Sequence, residues 1–374
     1  MIVDVVVTED QELFCATTRK FLGRECPLAT VRALARSDAG FDRDYWRQGA
    51  ALGWTSLLVP AALGGGAMTG AGITDLAALA EIFGAHVAPG PLLPVNVVAG
   101  AIARSGTAEQ QAHLLPGLCG GDTVAAWAHL EPTAPGAVTV SRVADGFVLH
   151  GTKEPVEAGA QADVLLVSAR SDDGPVQLLV DARAEGVAVT PLQSVDLVRR
   201  YARVEFDAAR VPVSALVASP TGGGSDIDWQ LQLVAVLQSA EIVGAAQVVF
   251  DLTLAWAFDR YTFGRPLASY QVIKHRFADM KLWLEAGHAI AAAAASELDE
   301  QVPSAPETAS IAKAYVADHL TDLVQECVQL HGGIGLTYEH DLHLFLRRVV
   351  ADRQTFGTPA DHRMRVADLL TGAA

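Results

Sequence analysis

The spacing of apolar residues divides the chain into three regions. Near both ends apolar positions recur every three or four residues, as in Leu76, Leu79 and Phe83, which is the period of an amphipathic helix. In the middle the period changes to two, in short β-branched and aliphatic runs. The pattern predicts an α+β protein with an N-terminal helical bundle (1–121), a middle antiparallel β domain, sandwich or barrel (122–220), and a C-terminal four-helix bundle (226–374).

Individual elements follow from the same pattern. Strands are predicted at 137–140, 147–149, 164–167, 176–180, 187–189 and 204–206, and long C-terminal helices at 229–258, 270–298, 306–330 and 342–352. Thr8 and Thr107 each precede a Gln three residues on, which is the spacing of an N-terminal capping box. The glycine-rich stretch 221–225 is predicted to be a flexible link into the C-terminal bundle.

The predicted C-terminal helices are interrupted at an interhelical segment, residues 260–271. Gly264 and Pro266 supply the break, because glycine tolerates unusual φ values and proline cannot continue a helix. The segment gathers a guanidinium, a hydroxyl, an aromatic ring and an amide, from Arg260, Thr262, Phe263 and Gln271. Such a set can hold a phosphate and a flat ring. An ordinary helical hairpin with Arg260 paired to a surface carboxylate accounts for the spacing equally well.

A second unusual stretch is the glycine turn, residues 329–335, which follows a predicted helix. It carries Gly332, Gly333 and Gly335 within four positions. Backbone there can approach a ligand closely and offer N–H donors. A glycine-rich helix end is also a common C-cap, so this turn alone does not establish a binding site.

Composition narrows the class of partner. The 374 residues carry a formal net charge of −16, which argues against nucleic acid or an anionic membrane surface. The four cysteines are scattered without a CxxC pair, so neither a zinc site nor a disulfide framework is predicted. We expect no metal, no membrane span, because the longest alanine-rich run (289–295) is too short, and a cytoplasmic location.

The two segments together resemble a known family. Arg260-x-Thr262-Phe263-Gly264-Arg265-Pro266-Leu267 is similar to the signature of the acyl-CoA dehydrogenases, and the later block from Gln329 to His340 is similar to that family's second motif. The resemblance implies FAD as cofactor and α,β-dehydrogenation of a fatty or steroid side-chain acyl-CoA to the 2,3-enoyl-CoA. It also implies an electron-transfer flavoprotein-like acceptor.

Carried over from the family, both segments grip the ADP portion of an FAD whose flavin lies in a neighbouring subunit. The residues to which this role transfers are Arg260, Thr262, Phe263, Gln271, Gln329, Leu330, Gly332 and Gly333. Because each flavin then needs two chains, the resemblance implies a homotetramer or a two-plus-two heterotetramer with a related chain.

The expected catalytic carboxylate is missing. The common family pattern places a glutamate before Gly-Thr near the C-terminus, where this chain has Phe356. Glu241 is the replacement candidate for the general base, because it lies on an otherwise apolar helical face, where a carboxylate is costly to bury. The alternative for Glu241 is a structural salt bridge, with Arg276 as the suggested partner.

The predicted flavin seat of this chain is also altered. Leu130 replaces the family's threonine before Glu-Pro, residues 134–137 replace Gly-Ser-Asp, and Pro155-Val156-Glu157 replaces the aromatic-Ile-Thr that abuts the flavin. The chain therefore resembles an acyl-CoA dehydrogenase subunit that lends its ADP-binding face to a partner. Two alternatives stay open: a non-catalytic partner subunit, and a flavin monooxygenase-like protein on the same scaffold.

Overall fold

The computed structural model describes residues 8–132, 138–218 and 222–372. Ahead of the sheet the described chain forms helices α1 (Glu9–Glu25), α2 (Leu28–Leu34), α3 (Arg43–Ala51), α4 (Gly72–His86), α5 (Leu92–Ser105) and α6 (Ala108–Cys119). Thr107 and Gln110 form the predicted reciprocal capping box at α6. At α1 the box is incomplete: Thr8 accepts from the backbone N–H of Gln11, but the Gln11 side chain donates to Asp75.

The middle region is one mixed sheet. Its strands are β1 (Ala125–Ala128), β2 (Thr139–Val143), β3 (Gly146–Glu157), β4 (Val164–Ser171), β5 (Gly174–Asp181), β6 (Val187–Leu192), β7 (Tyr201–Pro212) and β8 (Leu216–Ala218). The strand order is β6-β7-β3-β2-β4-β5-β8, with β1 beside β4. The predicted β domain is confirmed and most of its strand pairs are antiparallel, but the prediction needs one correction: β4 pairs in parallel with both β1 and β2.

The sequence missed β1 for a physical reason. All four of its residues are buried, so Ala-Ala-Trp-Ala shows no period of two. Ala137, the first residue of a predicted strand, lies outside the described residues, and β2 begins at Thr139.

The C-terminal region confirms the predicted helical bundle and adds one helix. Its members are α7 (Gly223–Asp259), α8 (Gln271–Glu300), α9 (Ala305–His331), α10 (Leu342–Gln354) and α11 (Pro359–Thr371). The sequence signalled α11 by a capping box from Thr358 to Asp361, with Pro359 at the first helical position. The prediction of a flexible link is wrong from Gly223 onward, because α7 already begins there.

Helix α7 is the central element of the fold. It contacts α4, α5, α8, α9 and α10. Its residues contribute to two hydrophobic cores: Val234 and Leu237 pack in the core shared with the N-terminal helices, and Ile242 and Val249 pack in the core of the C-terminal bundle. By length and composition α7 alone among the described residues could cross a membrane. However, 89% of its most apolar window is buried inside the protein, as expected of a core helix.

Two glycines allow α4 and α7 to cross in backbone contact. A Cβ atom added at Gly84 would lie 1.9 Å from the carbonyl oxygen of Glu241, and one added at Gly244 would lie 1.8 Å from the carbonyl oxygen of Glu81. No side chain fits either position unless the helices separate. The crossing therefore fixes the position of Glu241 along the axis of the bundle.

We expect Gly244→Ala to lower the thermal unfolding midpoint by about 5 °C or more, because the added methyl group forces the two backbones apart. Circular dichroism melting curves measure the change. Gly23→Ala is the matched control: Gly23 is an exposed helical glycine with open space around its Cβ position. A Gly244→Ala midpoint equal to that of Gly23→Ala would contradict the close crossing.

Candidate functional site

The interhelical segment folds as a small β-hairpin. Strand β9 (Tyr261–Thr262) pairs with β10 (Arg265–Pro266), and the two tip residues, Phe263 and Gly264, have φ values of 50° and 82°. Left-handed backbone at both tip positions matches the right-handed twist of a tight hairpin. The Tyr270 hydroxyl donates to the Thr262 carbonyl at 2.8 Å and anchors the hairpin to the start of α8.

Phe263 at the hairpin tip is fully exposed, with 100% of its surface accessible. A left-handed backbone is uncommon for a residue with a bulky side chain and carries a conformational cost. Its full exposure shows that no packing among the described residues offsets that cost. The ring is therefore available to a ligand or another chain.

The glycine turn lies beside the hairpin. The rings of Trp256, at the end of α7, and His331, at the end of α9, stack with centroids 5.2 Å apart, and the Arg260 guanidinium lies 5.8 Å from the Trp256 ring. The Trp256 indole nitrogen is buried without a hydrogen-bond partner among the described residues. The structure thus brings together the two segments that the sequence singled out.

The geometry of this face suits a phosphate-bearing ligand. Within the described residues Arg260 forms no ion pair, so the surface carboxylate of the alternative interpretation is not found. Gly333 is exposed and a Cβ added there would meet nothing within 4 Å, so this chain's own packing does not demand glycine. An exposed cation beside open backbone fits an anionic group.

The remaining predicted cofactor residues lie on the same face. Gln271 and Gln329 are exposed, Thr262 and Leu330 are half-buried, and Gly332 is exposed with a φ of 67°. Large apolar side chains stand exposed around them: Phe258, Tyr261, Val272, Ile334, Leu336 and Tyr338. Exposed apolar residues in such density are typical of a surface that another chain covers.

At the expected base position the structure has an aromatic stack. Phe356 lies parallel to Trp127, with centroids 5.3 Å apart and 6° between the ring planes, and Trp127 stacks on His129 at 4.6 Å. Burial and then the Lys153 charge lower the pKa of His129 to about 4, so this imidazole is neutral. The stack offers no carboxylate.

Glu241 is held between two arginines. Its Oε2 accepts from Arg199 at 2.6 Å and its Oε1 accepts from Arg348 at 2.6 Å, and all three side chains are buried. Arg276, the partner suggested from the sequence, pairs instead with Glu326 at 3.0 Å. Glu241 as general base stays a prediction, and this geometry counts against it because both oxygens are engaged.

These residues belong to a larger buried charge cluster at the junction of the sheet with the C-terminal bundle. It comprises Glu157 on β3, Asp196 and Arg199 in the β6–β7 connection, Glu241 on α7, Lys313 on α9, and Arg348 and Asp352 on α10. The Arg199 guanidinium contacts three carboxylates, those of Glu157 at 3.2 Å, Glu241 at 2.6 Å and Asp352 at 2.5 Å.

The cluster extends to the segment that carries Phe356. The Lys313 ammonium donates to the Asp352 carbonyl and, at 2.5 Å, to the Gln238 side chain, and Gln238 donates to the Thr355 hydroxyl at 2.7 Å. Burial lowers the pKa of Lys313 to about 7 and raises that of Asp352 to about 6. The end of α10 is thereby pinned to α7 and α9.

A narrow cleft remains between β3 and the end of α10. Its volume is about 250 Å³, and it is lined by Pro155, Leu192, Gln193, Ser194, Val195, Tyr201, Val350, Ala351, Gln354 and Thr355. It lies beside the stretch that replaces the family's flavin-facing residues. The charge cluster itself was missed from the sequence, although a lysine within the apolar pattern of α9 and the adjacent Arg347-Arg348 were available signals.

Glu157 makes stability depend on pH. Burial raises the pKa of Glu157 to about 7, against an ordinary value of 4.5. The folded state therefore keeps a proton that the unfolded state releases at lower pH, and stability falls as pH rises from about 4.5 to about 7. Glu157→Gln has no carboxyl group to titrate at this position, so its stability does not fall in this way. Between pH 5 and pH 8 we expect its free energy of unfolding to rise by about 2–3 kcal/mol relative to that of wild type.

Urea unfolding of both proteins at several pH values measures this difference. The control is Glu154→Gln. Glu154 lies on the same strand as Glu157 and forms an exposed ion pair with Arg203. Parallel stability curves for wild type and Glu157→Gln would contradict the buried, protonated carboxyl.

No group of three or more His, Cys, Asp or Glu residues in the described part of the chain could hold a metal ion.

Comparison with known proteins identifies the scaffold. The acyl-CoA dehydrogenase N-terminal domain family matches residues 8–122, and the acyl-CoA dehydrogenase C-terminal domain family matches residues 222–371.

Individual relatives agree along nearly the full length. The chain is 27% identical to acyl-CoA dehydrogenase IpdE2 of Mycobacterium tuberculosis over 94% of this chain and 95% of the relative. The Tcur3481-Tcur3483 steroid ACAD variant is 30% identical, with a TM-score of 0.89 and 98% of each chain covered. The ChsE4-ChsE5 complex from Mycobacterium tuberculosis is 26% identical, with a TM-score of 0.91 and 99% of each chain covered. The chain therefore belongs to the acyl-CoA dehydrogenase family of FAD-dependent oxidoreductases that act on the CH–CH bond of acyl-CoA thioesters.

Proposed function

We propose that this chain is the cofactor-lending subunit of a two-plus-two heteromeric acyl-CoA dehydrogenase. It grips the ADP portion of an FAD through the hairpin and the glycine turn, while a related partner chain seats the flavin ring and supplies the catalytic base. The single observation that carries the proposal is an asymmetry. Six of the eight predicted ADP contacts stand exposed on a surface rimmed by apolar residues, whereas the base position holds Phe356 stacked on Trp127.

The names of two similar structures support the unlike-chain assembly. Both the Tcur3481-Tcur3483 steroid ACAD and the ChsE4-ChsE5 complex are named as pairs of chains. By the same analogy we propose a steroid side-chain or fatty acyl-CoA as substrate and an electron-transfer flavoprotein-like acceptor. Four free thiols are compatible with the proposed cytoplasmic location.

The ADP contacts follow from charge and shape. Arg260 would meet a phosphate oxygen, the backbone N–H groups of Gly332 and Gly333 would donate to the pyrophosphate, and the Phe263 ring would lie against a flat group. An unpaired guanidinium at the surface is suited to this role because a charge-assisted contact to phosphate is strong and directional. FAD itself supplies the hydride-accepting chemistry when bound.

Co-expression with neighbouring acyl-CoA dehydrogenase reading frames tests the proposal. We expect an unlike chain to co-purify, with flavin absorbance appearing only in the complex and bleaching under anaerobic acyl-CoA. Arg260→Gln should raise the FAD dissociation constant about tenfold or more, because it removes a charged hydrogen bond. Arg276→Gln, which removes an exposed arginine of the same bundle, is the control and should leave FAD affinity unchanged.

Four outcomes would contradict this function. A homomer that takes up one flavin on every chain would remove the heteromer, and an assembly that never takes up flavin would remove the cofactor role. Equal effects of Arg260→Gln and Arg276→Gln would remove the assigned ADP site. Turnover that requires oxygen would favour the flavin monooxygenase-like alternative.

Glu241→Gln separates a structural role from a catalytic one. Because both carboxylate oxygens pair with buried arginines, we expect a lower unfolding midpoint but turnover per bound flavin within about twofold of wild type. Differential scanning fluorimetry and steady-state assays of the complex measure the two quantities. Loss of turnover with full flavin content would instead establish Glu241 as the base.

A further inference from the structure

The Arg199 guanidinium links the two walls of the cleft between β3 and α10. Its Nε contacts Glu157 at the end of β3 at 3.2 Å, and its Nη1 contacts Asp352 near the end of α10 at 2.5 Å. All three side chains are less than one-tenth exposed. We propose that the Glu157–Arg199 pair excludes a flavin ring from this chain's own cleft, and so determines which chain of the assembly seats the cofactor.

This inference rests on the proposed function and goes beyond it by naming the residues responsible. Glu157 is the third residue of the Pro155-Val156-Glu157 stretch, which faces the cleft through Pro155. Thr355, on the opposite wall, is separated from Asp352 by less than one helical turn. The contacts of Arg199 therefore join residues that lie within two positions of the cleft lining on each wall.

Moving the walls apart would break these ion pairs. The Arg199 charge and the Asp352 carboxylate would then lie uncompensated in a buried place, which is far more costly than leaving an exposed pair apart, and Glu157 would lose its buried hydrogen-bond partner. Glu241 holds the third nitrogen of the same guanidinium at 2.6 Å, so Arg199 cannot turn away without vacating a second buried carboxylate. These contacts consequently resist any widening of the cleft.

The segments that border the cleft, whose volume is about 250 Å³, are themselves restrained. Phe356 and Trp127 close the adjoining space by parallel stacking, and the bond from Gln238 to Thr355 restrains the α10 wall. Above about pH 7, where Glu157 is ionised, removal of Glu157 and Arg199 together leaves the cluster's formal charge balance unchanged, because one acid and one base disappear.

The test is the double variant Glu157→Thr/Arg199→Ser, made in this chain and co-expressed with its partner. The readout is the flavin absorbance per chain, together with the unfolding midpoint. We expect wild type to carry one flavin for each pair of unlike chains and the double variant to move toward one flavin for every chain. Glu154→Thr/Arg203→Ser removes an exposed ion pair between β3 and β7, and this control should keep the wild-type flavin content.

The outcomes separate the two proposals. Unchanged flavin content in a folded double variant contradicts the role of the pair and leaves the proposed function standing. A wild-type complex with flavin on every chain contradicts the proposed function itself. If the double variant does not fold, Glu157→Gln is co-expressed with the partner in its place, where flavin content per chain above the wild-type level is expected and unchanged content overturns the inference.

Discussion

The contact on which the rest of the structure depends is the one between Arg199 and three carboxylates from separate parts of the chain. Glu157 comes from the sheet, Glu241 from the central helix and Asp352 from the penultimate helix. A buried guanidinium with this many partners is stable only when all of them are in place, so it sets the position of each element relative to the others. The glycine crossing of α4 and α7 fixes the same helix from its other side.

Helix α7 links two regions with opposite properties. Near its middle, Glu241 lies in a closed, charged interior, and about 27 Å further along the axis the helix ends at an exposed hairpin. The closed region has Phe356 where the family resemblance places a carboxylate, and a cleft bridged by ion pairs. The open region has an arginine without an ion pair among the described residues, and exposed glycine backbone. In the proposed assembly, one chain thus combines a cofactor grip with a blocked ring site.

The sequence predicted those features that short-range residue patterns determine. The α+β class and the long helices follow from hydrophobic period, and the break at Gly264 and Pro266 follows from backbone chemistry. Strand β1 was missed because full burial erases alternation, and α11 was missed although Thr358 carried its cap.

The charge cluster was not predictable in detail because its members are distant in sequence. Glu241 and Arg199 are 42 positions apart, and Arg199 and Asp352 are 153 apart. Only the folded chain brings them together. The proximity of the hairpin to the glycine turn, in contrast, could be anticipated from the family resemblance, and Trp256 stacked on His331 supplies the physical link between them.

The most direct test of this account is a structure of the assembled, flavin-loaded enzyme. The account predicts that the pyrophosphate and adenosine of each FAD lie against Arg260, Phe263 and the Gly332–Gly333 backbone of this chain, while the flavin ring lies in the unlike partner. A dinucleotide held entirely within one chain, or one placed away from these two segments, would contradict it.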